Sequence, residues 1–310
     1  MRILKIKEGS YIDFLSFKKI ASLISLVLIL GGIASIFYHN GLKYGIDFKG
    51  GTNIQIQFSQ IPDLDQIRNL FSERGMKNII LQTFGDVSNN EILLGLPINS
   101  PLGTGEKLTS ELKNILKTNH PNLEIRRIET IGPKVGDELK ISAVKAIFIA
   151  LGLVLLYITI RFQWRQGISA IIALLHDVTI VIGIFSILEK EFSLTVVAAL
   201  LTVVGYSLND TIVVFDRIRE NLGKYRKKSM EETINLSITE TLSRTLITSG
   251  TTLLVVLALF LLGGEIIHDF SFALLIGVLI GTYSSIYVAS PVVILLTKLL
   301  PPTGESTSNS

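Results

Sequence analysis

The stretch from Val204 to Asn221, VGYSLNDTIVVFDRIREN, decides how the rest of the chain is read. It continues an apolar run, yet Asn209 and Asp210 lie inside that run. It closes on Asp216, Arg217, Arg219 and Glu220, side chains that belong in water. Val203, Val204, Ile212, Val213, Val214 and Phe215 supply the apolar surface, so the pattern predicts the end of a membrane-crossing helix. A carboxylate inside such a helix costs roughly 2.5–3.5 kcal/mol on insertion scales and normally faces protein or a water-filled path. Handling of an ion or a proton is therefore the default expectation for Asp210, with a structural need as the alternative.

Composition points the same way. The chain has 310 residues, of which 48% are hydrophobic and 18% charged, and its mean hydropathy is +0.51. That charge content is low for a soluble protein, and the apolar residues come in long blocks. A net charge of +3 is too small to suggest nucleic-acid binding. Without cysteine there is no disulfide, thiolate metal site or thiol nucleophile. His39, His120, His176 and His268 are scattered, with no metal-ligand spacing. The sequence holds no P-loop, no GxGxxG after a strand and no GxSxG, so neither nucleotide hydrolysis nor a cofactor or metal is expected.

In chain order, residues 1–19 are polar and basic and predict a cytoplasmic N-terminus. Residues 20–38 are uncharged and apolar, long enough to cross a bilayer about 30 Å thick as a retained anchor. Residues 39–140 mix charged and apolar positions and predict an external α+β domain. Within it, 52–58 (TNIQIQF) alternates as a half-buried strand. A helix is predicted over 64–74, with Asp63 as N-cap and Gly75 as stop. Strands follow at 78–83 and 91–96 around a turn at 85–90, then a helix at 105–117 and a strand at 123–131. The order βαββαβ is that of the ferredoxin-like, split βαβ sandwich. Five more apolar runs, near 141–160, 168–188, 194–215, 242–262 and 270–296, make six transmembrane spans.

Short basic connections set the orientation. Arg161 and Arg165 separate the second and third spans, and the 216–241 loop holds Arg217, Arg219, Lys224, Arg226, Lys227 and Lys228. Both termini are thus expected in the cytoplasm. Positions 230–241 look amphipathic and are expected to lie along the cytoplasmic surface, and the 299–310 tail is expected to be disordered.

Two more ionisable residues fall in apolar runs: Asp177 midway along the third and Arg244 near the start of the fifth. The fourth and fifth spans are antiparallel, so Asp210 and Arg244 are expected at similar depth, as an ion pair. The pair either tunes proton binding at Asp210 or locks two helices together. Thr202, Tyr206 and Asp210 share a helical face, with Asn209 and Ser207 beside it; Thr248, Thr251 and Thr252 share one with Arg244. Asp177 either joins a relay or hydrogen-bonds to a neighbouring helix. His176, pointing elsewhere on the same helix, is expected to pack. Asp47, Gly50 and Gly51 (in DFKGG) predict a turn leaving the first span, and Gly132, Pro133 and Gly136 a hinge into the second. Gly277 and Gly281 in the sixth predict close helix packing.

Several motifs together resemble the SecF family of protein-export membrane subunits, within the resistance–nodulation–division superfamily. They are YGIDFKGGTNI (44–54), IGPKVGDEL (131–139), RFQWRQG (161–167), LLHDV (174–178), VGYSLNDTIVVFDRIREN and LSRTLITSGTT (242–252). The resemblance implies a multi-pass protein of the inner membrane that pairs with SecD. Beside it would stand the Sec channel of SecY, SecE and SecG, with YajC as a further partner and an unfolded preprotein as cargo. It also implies that Asp210 and Arg244 belong to a proton path driving the external domains, with sodium as the alternative ion. A small-molecule exporter half, or a structural partner without ion coupling, are the other readings.

Overall fold

The structure, a computed structural model, describes residues 11–76, 79–84, 89–98, 100–102, 105–117 and 122–300. The basic N-terminal residues through position 10, Asn78 at the head of the second predicted strand, positions 85–88 of the predicted turn, and the tail from Pro301 lie outside the described residues.

Helix α1 (Lys18–Tyr38) ends where Asn40 and Gly41 turn to positive φ, 56° and 124°. The Gly41 amide donates back to the Ile36 carbonyl and closes the last turn. One short turn, α2 (Ile46–Lys49), leads into strand β1 (Gly51–Gln57). Helix α3 (Leu64–Glu73) opens on Asp63, whose carboxylate accepts from the Asp65 and Gln66 amides, and stops before Gly75 at φ 80°. Strands β2 (Ile80–Thr83) and β3 (Glu91–Pro97), helix α4 (Gly105–Lys117) and strand β4 (Glu124–Ile131) complete this unit. The strands form one sheet in the order β2-β3-β1-β4, with every neighbouring pair antiparallel. Ile54 and Ile56 of β1, Leu94 of β3, Phe71 of α3 and Leu112 of α4 meet in a core of their own, all essentially inaccessible to water.

Helix α5 (Pro133–Arg161) starts one residue after β4. Gly132 is its N-cap and Pro133 its first residue, where the fixed φ of proline suits a helix and its missing N–H costs nothing. The helix therefore begins at Pro133 rather than at the predicted 141. Its 29 residues span roughly 44 Å at 1.5 Å per residue, more than the hydrocarbon thickness needs. Helices α6 (Trp164–Ile187), α7 (Leu194–Lys224) and α8 (Met230–Leu262) follow. The sixth span joins α9 (Gly264–Ser284), a π-helical turn (Ser285–Ala289) and α10 (Ser290–Leu299). Pro291 explains the turn, because it has no amide for the Tyr287 carbonyl. The Ser290 hydroxyl donates to the Ser285 carbonyl at 2.9 Å, tying the two ends of the widened turn together.

Among the described residues, six helices are long and apolar enough to cross a membrane. In their most apolar windows 61% of α6 and 50% of α7 is buried, against 11% for α5 and 17% for α8. Helices α6 and α7 thus form the centre, with the sixth span packed on both. Glycines set two of these contacts. A Cβ at Gly32 of α1 would lie 2.6 Å from Gly183 Cα of α6, so these backbones touch. Gly277 and Gly281 of α9 pack on Val203 and Ser207 of α7, as the small-residue spacing predicts.

The segment from Met230 departs from its expected course along a surface. Helix α8 runs unbroken from Met230, capped by Ser229 and Glu232, and buries Thr233 through Thr239. The Leu15 amide donates to Asn235 Oδ1 and the Ile12 amide to Thr239 Oγ1, so the chain's own N-terminal segment covers it.

Candidate functional site

Asp177 sits at the centre of α6 and is fully buried. A buried carboxylate is tolerable only when donors surround it. Here the Ser207 hydroxyl of α7 donates to Asp177 Oδ2 at 2.6 Å and the Ser284 hydroxyl of α9 donates to the same oxygen at 2.8 Å. His176 Nδ1 lies 2.8 Å from Asp177 Oδ1. The ring's other nitrogen, Nε2, lies 2.9 Å from the Ser25 hydroxyl of α1. That hydroxyl is 3.0 Å from Tyr283 Oη, which donates to the Ala21 carbonyl. Three neighbouring helices thus converge on one histidine–aspartate pair of α6. The sequence expectation for His176 is corrected: adjacent helical residues start out 100° apart, but the imidazole is long enough to bend back to its neighbour's carboxylate.

Asp210 of α7 is buried one turn beyond Ser207. The Ser249 hydroxyl of α8 donates to Asp210 Oδ2 at 3.1 Å, and the Thr282 hydroxyl of α9 lies 2.8 Å from Ser249 Oγ. The expected ion pair with Arg244 does not form. Arg244 lies five residues before Ser249, about 7.5 Å along the axis and about 140° around it. It is exposed on α8, within electrostatic reach of Asp210 but not in contact with it. The face of α8 that is buried carries Thr241, Thr245 and Ser249. Thr248, predicted on the pairing face, is half-buried and donates to its own helix at the Arg244 and Thr245 carbonyls.

The other predicted stripe residues separate. Ser207 serves Asp177, not Asp210. Asn209 is exposed and Tyr206 half-buried. The Tyr206 hydroxyl is buried without a hydrogen-bond partner among the described residues. Ser249, Thr282, Ser284, Ser25 and Tyr283 were not singled out from the sequence. Their signal was a hydroxyl inside an apolar run, which on its own reads as helix packing.

The residues predicted for a turn and hinge gather at a packed junction. Asp47 does not cap the turn after the first span: its carboxylate accepts from the Leu194 amide at 2.9 Å, at the start of α7. The Phe192 amide donates to the Lys43 carbonyl and the Gly45 amide to the Phe192 carbonyl, while Phe48 stacks on Phe192. Gly50 has φ 74°, and Gly51 backs onto the Leu96 carbonyl. A Cβ at Gly136 would lie 2.7 Å from the Phe48 carbonyl, whereas Gly132 borders open space. Glu191 is pressed against Gly45, and its pKa is raised above the ordinary 4.5. Burial is the main cause, followed by Asp269 and Asp47, against the opposing charges of Lys43 and Lys49.

Comparison with known proteins places the chain. Residues 111–299 match the family described as protein export membrane protein SecD/SecF, C-terminal, and residues 35–60 match the SecD/SecF GG motif. The chain belongs to the SecD/SecF protein-export family. It is 46% identical to the protein translocase subunit SecF of Vibrio alginolyticus over 97% of this chain and 96% of that one. To the SecF of Pseudomonas aeruginosa it is 41% identical over 98% of both. The crystal structure of SecDF from Thermus thermophilus, a translocon-associated membrane protein, superposes with a TM-score of 0.80 at 38% identity. That match covers 94% of this chain and 40% of the SecDF chain, so this chain spans less than half of it.

Proposed function

We propose that the chain is an auxiliary subunit of the Sec protein translocase that couples the proton gradient to late preprotein movement. The observation carrying this reading is the pair of buried intramembrane carboxylates, Asp177 and Asp210, each held by hydroxyls from other helices. The rest of a SecDF-like assembly would come from SecD. The partnership extends to the SecY, SecE and SecG channel, to YajC, and to an unfolded preprotein as cargo. The basic connections at 161–165 and 216–228 favour cytoplasmic termini, which puts the sheet unit on the external side. Its strand order and antiparallel pairings support the ferredoxin-like reading.

Asp210 takes up and releases the proton, and Arg244, near but unpaired, tunes it. Moving one charge across 100 mV releases about 2.3 kcal/mol, so a few protons per cycle suffice for a domain movement. The junction of Asp47, Gly50, Gly51, Gly132, Pro133 and Gly136 then carries the movement outward, with α5 as a continuous rod from membrane to sheet.

The test is preprotein export into inverted vesicles with and without a proton gradient, using assembled SecD-containing complex. Asp210→Asn and Arg244→Met are expected to lose only the gradient-dependent part. Export by both variants at the wild-type level, with the gradient effect intact, refutes the coupling role and leaves a scaffold.

A further inference from the structure

We propose that His176 and Asp177 form a second proton-binding site in the membrane, and that the Ser25 hydroxyl of α1 is the switch that lets it hold either of two proton counts. The argument is an accounting of donors and acceptors. With one ring proton, Nδ1–H donates to Asp177 Oδ1, and Nε2 accepts from the Ser25 hydroxyl. With two, Nε2–H donates to Ser25 Oγ, whose hydroxyl turns to donate to Tyr283 Oη at 3.0 Å. Tyr283 keeps its own proton on the Ala21 carbonyl in both states. Every polar atom is satisfied in each state, and only one hydroxyl rotates between them. A site built merely to join helices needs one satisfied state; this one has two.

The surroundings are mostly hydroxyls, and the nearest other carboxylate is Asp210, one turn beyond Ser207 on α7. Among the described residues, α1 contributes Ser25 and the Ala21 carbonyl to this network, α7 contributes Ser207, and α9 contributes Ser284 and Tyr283. Helix α5 contributes none. Among the described residues, Tyr283 is the titratable side chain that the hydrogen-bond chain reaches from His176, with the Tyr287 ring tilted against it. The extra proton takes the His176–Asp177 pair from net charge −1 to zero. Imidazole is suited to that exchange near neutral pH.

The role in coupling rests on the reading of the chain as a proton-driven translocase subunit; the proton site itself does not. The first measurement is therefore nuclear magnetic resonance of isotope-labelled histidine in the assembled complex in nanodiscs, with His176→Gln identifying the signal among the four histidines. Across a pH series the His176 nitrogen shifts are expected to show both the one-proton and the two-proton form, and Ser25→Ala is expected to move the midpoint between them. A ring that keeps one proton throughout, or a midpoint unmoved by Ser25→Ala, overturns the proposal. The second measurement is gradient-dependent export from pH 6 to 8. His176→Gln is expected to flatten its pH profile. A wild-type profile in His176→Gln overturns the coupling role. If Asp210→Asn still loses gradient-dependent export in that case, the translocase reading stands without this site.

Discussion

Removing the carboxylate of Asp177 takes away three interactions at once, and the structure says what each is worth. The hydroxyls of Ser207 and Ser284 lose an interhelical acceptor. Interhelical hydrogen bonds in membranes average about 0.6 kcal/mol each, so the two account for roughly 1.2 kcal/mol. His176 Nδ1 is left buried with no partner, which costs about 1–3 kcal/mol. Asp177→Ala is therefore expected to destabilise the bundle by about 2–4 kcal/mol. Asp177→Asn is different. Its oxygen can still accept from Ser207 and Ser284, and its amide can donate to His176 Nδ1 once the ring proton moves to Nε2. Ser25 Oγ accepts a hydrogen bond from that N–H, and its own hydroxyl turns toward Tyr283. The asparagine variant should lose less than about 1 kcal/mol and lock the ring in its Nε2–H form. Unfolding in mixed micelles, titrated with a denaturing detergent, measures both values, and histidine nitrogen shifts report the tautomer. If Asp177→Asn is as damaging as Asp177→Ala, a neutral amide cannot substitute and the donor accounting is wrong.

Glu191 makes the junction between sheet and membrane sensitive to pH. Because its folded pKa lies above the ordinary 4.5, its contribution to stability is complete below about pH 4.5 and is lost as pH rises through the raised value. Glu191→Gln should therefore show a higher unfolding temperature than the wild type above that window, with the difference vanishing toward acid; equal curves at all pH values count against the assignment. Asp47→Ala should cost about 0.5–2 kcal/mol, as for other lost helix caps, and Asp47→Asn much less, read from amide-exchange protection at Leu194. Gly281→Val should cost about 1–3 kcal/mol by overpacking against Ser207, and should break the Ser207–Asp177 hydrogen bond, detectable as altered histidine shifts.

Most of the architecture was legible because it rests on length and period. The six apolar runs have the length that a bilayer requires, and 52–58 alternates as a half-buried strand does. The ends of helices were less legible. Residues 133–140 (PKVGDELK) look like part of a soluble domain by charge, yet they are the first turns of α5. Hydropathy marks where a helix meets lipid, not where its hydrogen bonds begin. In the same way, the hydroxyls and carboxamides at 233–241 read as a surface helix. They are the buried inner stretch of α8, covered by residues 12–15, whose amides pair with side chains more than 200 positions away. No local pattern records such a contact.

The site was legible in its charges and illegible in its rotation. Asp210 stands 14 residues before the end of α7, and Arg244 stands 14 after the start of α8, so matching depth by count pairs them. The structure offsets α8 by five residues, and Asn221 shows where this register is fixed. Its amide is buried and donates to Ser237 Oγ at 3.0 Å and to Glu240 at 2.8 Å. In an antiparallel pair, stepping inward from Asn221 and Ser237 in equal strides brings Asp210 opposite 248, next to Ser249, while Arg244 falls opposite Val214. A buried amide with two good hydrogen bonds outweighs an ion pair near the membrane, where both charges must first be stripped of water. Asp210 is thus left to hydroxyls, which hold a carboxylate without fixing its charge, and Arg244 is left to face whatever packs on the open side of α8.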